Sequence, residues 1–135
     1  MRTRTAKEVF LTNQLFSFLQ TPLKSHFIDL TEMGFSVYVL SIRRGYCDSR
    51  VKEIVIPEFA ILRETNNKEL GYLQWYVAHE FAHAFNAAAG TCDIHGPNFM
   101  EFLKKICPPE YIHYEFHYKP RNAARCGIQI SADIL

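Results

Sequence analysis

The segment His79-Glu80-Phe81-Ala82-His83 constrains this 135-residue chain more than any other feature. It stands in a stretch whose apolar residues, Leu70, Leu73, Tyr76, Val77, Phe81 and Phe85, recur at helical spacing. Asn66 and Asn67 are placed to start that helix, and Ala87-Ala88-Ala89-Gly90 to end it. Alanine favours helix, and glycine accepts the left-handed geometry that closes one. On such a helix His79 and His83 project from one face, one turn apart. Val77, Ala78, Phe81, Ala82, Ala84 and Phe85 surround them. Imidazoles and a carboxylate set among apolar neighbours need polar partners, and a metal ion is one.

Two imidazole nitrogens from this turn reach a single zinc ion at about 2.0–2.1 Å each. Glu80 follows the first of them, where its carboxylate can hold a zinc-bound water. The pattern is the HExxH signature of metallopeptidase helices. A catalytic zinc takes three protein ligands and keeps one position open. Asn86 and Ala89 stand where the metzincin continuation needs Gly and His, so that class is excluded. The donors further on are Cys92, Asp93, His95 and Glu101. His95 is preferred, because Gly90 breaks the helix, Pro97 opens the next one, and the chain between them can fold back. Asp93 reads as an acceptor behind a ligand or as a loop cap, and Cys92 as a buried thiol. Glu101 is the alternative third ligand.

The rest of the chain is consistent with one compact α+β domain spanning 1–135. Its 48% hydrophobic and 14% aromatic content suffices for a core. Thr5 to Gln20 reads as a first helix, with Val9, Phe10, Leu15, Phe16 and Leu19 as its apolar stripe and Thr21-Pro22 as its stop. Phe35–Ile42 and Val51–Ile56 read as strands of a small antiparallel sheet or β-hairpin, joined by a turn at Arg43–Ser49. Pro57 ends the second strand or places it at an edge. Pro97 to Ile106 is a helix with Phe99, Phe102, Leu103 and Ile106 on its apolar face. The tail from Glu110 to Leu135 reads as strand over Tyr111–Tyr118.

His79-Glu80-Phe81-Ala82-His83-Ala84, a short interval, and His95-Gly96-Pro97-Asn98-Phe99 together resemble the SprT-like zinc metallopeptidases, the family that includes Spartan. The resemblance covers about residues 35–106 and is sharpest over 76–103. It implies a zincin-like domain with an amino-terminal helix, a small sheet, the HExxH helix and a following ligand-bearing helix. It implies that His79, His83 and His95 bind zinc and that Glu80 is the catalytic acid/base. The Cys-rich zinc ribbon common in the family has no counterpart, since the tail holds only Cys107 and Cys126.

The expected activity is therefore endopeptidase hydrolysis of a protein or peptide substrate, on DNA-associated or regulatory proteins. The alternative is a protein- or nucleic-acid-binding module with a structural zinc. Tyr111, His113, Tyr114, His117 and Arg121 are candidate donors to a developing oxyanion. His113 and His117 lie too far apart on a strand to share a metal, though not on a helix. Val51–Ile56, taken as an edge, would offer its backbone to an extended substrate. Nucleic acid is the lesser partner expectation: Arg43, Arg44, Arg50 and Lys52, then Lys119, Arg121 and Arg125, are basic clusters, but net charge is only +1. Four scattered cysteines without a CxxC pair suggest free thiols. No stretch resembles a secretory signal or a membrane span, so a cytoplasmic location without a membrane partner is expected.

Overall fold

The computed structural model describes residues 2–91 and 93–125. Cys92 and Cys126, both named above, lie outside them. The order is α1 (Ala6–Phe18), α2 (Thr21–Glu32), β1 (Ser36–Leu40), β2 (Tyr46–Asp48), β3 (Glu53–Pro57), α3 (Glu58–Thr65), α4 (Tyr72–Ala88), α5 (Pro97–Ile106), a 3-10 turn (Pro109–Tyr111), α6 (His113–Tyr118) and α7 (Pro120–Arg125). This is an α+β architecture.

The first helix begins where its capping chemistry dictates. Thr5 Oγ1 accepts from the Glu8 amide at 3.1 Å, and Glu8 Oε1 accepts from the Thr5 amide at 2.8 Å. Thr21-Pro22, read as a stop, also starts α2, because proline suits the first turn of a helix. Only Leu23 and Leu30 of α2 are fully buried among its hydrophobic residues, so its apolar stripe is too thin to announce it.

The sheet departs from the expected hairpin. Strand β1 pairs parallel with β3, Ser36 opposite Glu53 and Leu40 opposite Pro57. The expected turn itself supplies β2, antiparallel to β3 with Tyr46 opposite Val55, giving the order β1-β3-β2. The second strand is therefore central, not an edge. Ile54, Val55 and Ile56 are all fully buried, the continuous apolar run of a strand covered on both faces. The outer side of β1 is covered by α1: the Val39 amide donates to Thr12 Oγ1 at 2.9 Å and the Ser41 amide to Glu8 Oε2 at 2.7 Å.

Glu58–Thr65, unassigned from sequence, forms α3, and Asn66 ends that helix rather than starting the next. Gly71 at φ +82° begins α4 instead. Helix α4 is buried on almost every side, with Trp75, Val77, Ala78, Phe81, Ala82 and Ala84 at 2% exposure or less. Gly90 at φ +77° follows its end, as expected of a glycine cap. The aromatic run Tyr111–Tyr118 is helical, not strand: the 3-10 turn leads into α6, whose Glu115 bonds to Trp75 and His79 of α4. Among the described residues no helix is long and apolar enough to cross a membrane.

Candidate metal centre

Helix α4 delivers His79 and His83 to one side of a cavity of about 440 Å³, and the loop before α5 delivers His95 to the same place. His95 Nε2 lies 3.0 Å from His83 Nε2 and 3.3 Å from His79 Nε2. Nitrogens on a tetrahedral zinc at 2.0–2.1 Å stand about 3.3–3.4 Å apart, so this spacing fits the ion. The donor set also suits it chemically, because converging imidazole lone pairs repel unless a cation or proton lies between them. Phe99, fully buried, backs all three rings, stacking on His83 at 4.4 Å and meeting the other two edge-on at 5.0 and 5.1 Å.

The loop that carries His95 is held in an unusual backbone. Ile94 (φ 34°) and His95 (φ 59°) are both in the left-handed region, costly for side chains other than glycine. Asp93 holds this geometry. Its Oδ2 accepts from the Asn98 amide at 2.7 Å, and its Oδ1 from the Phe99 amide at 3.2 Å and from Asn86 Nδ2 at 2.9 Å. Asn86 Oδ1 in turn accepts from Thr91 Oγ1 at 2.6 Å. A Cβ on residue 96 would stand 2.6 Å from Asp93 Oδ2, so Gly96 is required for the cap to close. Asp93 is thus the cap of α5 and no member of the nitrogen cluster. Glu101 is exposed on α5, away from the cluster, and does not serve as the third donor.

Behind His79 stands Glu115 of α6, fully buried and not foreseen from sequence. Its Oε1 accepts from His79 Nδ1 at 2.7 Å and from Trp75 Nε1 at 3.0 Å, and its Oε2 from Asn122 Nδ2 at 3.3 Å. A carboxylate only accepts, so the His79 proton sits on Nδ1 and the Nε2 lone pair faces the cluster. Burial works against charging His79, but the Glu115 carboxylate outweighs it and raises its pKa. His83 has no such partner: burial, with His79 and His95 beside it, pushes its pKa down to about 3, so it is neutral and ready to ligate. The signal for Glu115 was hidden because a strand assignment separates it from α4.

Glu80 lines the same cavity and is 5% exposed. Burial raises its pKa, against the opposing pull of His79 and Lys119. Opposite α4 the cavity wall is β2 and the turn before it, including Arg44, Tyr46 and Cys47. Gly45 lets that turn approach: its amide donates to Tyr76 Oη at 2.8 Å, and a Cβ there would lie 2.5 Å from the Val55 carbonyl.

None of the expected oxyanion donors lines this cavity. Tyr111 Oη accepts from Gln20 Nε2, and Tyr114 Oη donates to the Leu70 carbonyl. His113 and His117 lie one turn apart on α6 and are outside the His79–His83–His95 cluster. Arg121 is exposed on α7. Lys119, at the end of α6, lines the cavity instead. Cys47 and Cys107 are free thiols, and burial pushes both pKa values up to about 12. Comparison of the chain with protein-family models, curated proteins and solved structures gives no match.

Proposed function

We propose that this chain is a zinc-dependent endopeptidase with a zincin-like fold, of the SprT-like kind its motifs resemble. The reading is carried by one juxtaposition: three imidazole nitrogens converge in a cavity that Glu80 also lines. His79, His83 and His95 would hold the ion. Zinc bound there supplies Lewis-acid polarisation of a carbonyl and lowers the pKa of a coordinated water. The protein's own groups do the rest. Glu80 takes the proton of the attacking water and passes it to the departing amine, a task helped by burial, which raises its carboxyl pKa. Glu115 fixes the His79 ring, and Asp93 fixes the loop of His95. Strand β2 is the sheet edge along the cavity, so an extended peptide adds there, rather than to β3, by main-chain hydrogen bonds.

The protein purified in zinc should hold about one ion per chain by elemental analysis. Glu80→Gln should abolish cleavage of a labelled casein while retaining that ion, because the amide cannot accept the proton. A chain that binds no zinc, or a Glu80→Gln variant as active as the parent, would end this reading.

A further inference from the structure

Lys119 is the least explained charge near the site. It closes the carboxyl end of α6, four residues after Glu115, in a non-helical backbone at φ −132° and ψ 53°. Glu115 goes behind His79, whereas Lys119 lines the open cavity with His79, Glu80 and His83. Its position is anchored by its amide, which donates to the Glu115 carbonyl at 2.8 Å. Among the described residues its ammonium enters no ion pair, although Glu80 is close enough to feel its charge. Arg44 adds a second cation to the same lining.

A cation held beside a metal-binding cluster opposes the ion it faces. Among the described residues lining the cavity Glu80 is the one acidic side chain, against Arg44 and Lys119. A divalent ion would then leave the cavity with a net positive charge. Such a surplus is favourable when an anion forms inside.

We propose that Lys119 is a catalytic residue that donates a hydrogen bond to the substrate carbonyl oxygen as it becomes an anion. This deepens the peptidase reading and rests on it. The water oxygen bonds to the carbonyl carbon, its proton goes to Glu80, and the carbonyl π pair moves onto oxygen. The Lys119 ammonium donates to that oxygen. When the C–N bond breaks, its electron pair stays on nitrogen, which takes the proton from Glu80, and the carbonyl re-forms. Lys119 keeps its proton throughout.

The test uses the full chain with Lys119→Met and Lys119→Arg. In zinc-loaded protein, Lys119→Met should lower kcat on an amidated fluorogenic peptide roughly 10²-fold with little change in KM, as for loss of an oxyanion donor. Lys119→Arg should recover part of the loss. Two readouts need no turnover. Chelator competition should show Lys119→Met binding zinc more tightly than the parent, because a repulsive charge is gone. Calorimetry with a phosphinic dipeptide, whose tetrahedral anion replaces the carbonyl, should show roughly tenfold weaker binding or worse.

Weakened zinc binding in Lys119→Met would overturn the proposal in favour of a structural role. A KM increase confined to peptides with a free carboxyl terminus would overturn it in favour of substrate-carboxylate binding. Unchanged phosphinate affinity would overturn it outright. Failure of the peptidase reading is seen separately, as an inactive parent chain, and the phosphinate and zinc measurements then still decide Lys119.

Discussion

At the scale of single residues, Glu115 shows how a buried charge is made tolerable and useful. A carboxylate without exposure is costly unless its oxygens are bonded, and this one accepts from His79, Trp75 and Asn122. Burial raises its pKa, but His79 and the other donors outweigh that and hold it below the usual range. The charge makes His79 a stronger donor and fixes its ring. Glu115→Gln retains the size and loses the charge. Zinc affinity in that variant should fall about 10–100-fold by chelator competition, with far-UV circular dichroism unchanged. Parent-like affinity would mean that packing against Phe99 alone orients the ring.

At the scale of elements, junctions rather than helices carry the demanding geometry. Helix α4 is placed by the α3–α4 turn, where Gly71 donates its amide to Glu64 Oε1 at 2.6 Å and adopts φ +82°. A Cβ at this position would lie 2.1–2.4 Å from the Tyr111 ring. Gly71→Ala therefore meets both backbone strain and a ring that must move. It should lower stability by at least about 1–3 kcal/mol in urea denaturation, the range for backbone strain alone. A loss smaller than that would mean that Tyr111 swings aside freely. The loop at Asp93 plays the corresponding part for His95, which would otherwise relax from its left-handed backbone.

At the scale of the whole molecule, α1 is tied to the sheet through charge. Glu8 is fully buried, accepts from Arg2, Thr5 and Ser41, and is held well below the usual carboxylate range, the Arg2 hydrogen bonds contributing most. Nearby, Ser41 Oγ donates to Glu58, which also pairs with Lys7 at 2.5 Å. A carboxylate with a depressed folded pKa stabilises above its unfolded value, near 4.3 for Glu, and this stability is lost as pH falls through the folded value. The thermal midpoint of the parent should therefore drop from about pH 5 to pH 3 more steeply than that of Glu8→Gln. Equal slopes in differential scanning calorimetry would show that Glu8 titrates normally in the folded chain.

The start of α1 at Thr5, the bounds of α5 and the glycine ending α4 were readable in sequence, because each depends on neighbours within one turn. So was the grouping of His79, His83 and His95, since a four-residue spacing and a loop between two helix-breaking residues are local facts. Sequence did not disclose that β3 is central, because strand partners are chosen by burial from both faces and not by order along the chain. It misplaced Tyr111–Tyr118 for a related reason: alternating aromatic residues suit a strand in isolation, whereas here α4 offers a buried face that rewards a helix. With that helix came Glu115 behind the imidazole and Lys119 in the cavity. Residues 36 and 40 positions from His79 meet it only through tertiary packing, and local propensity carries no information over that distance.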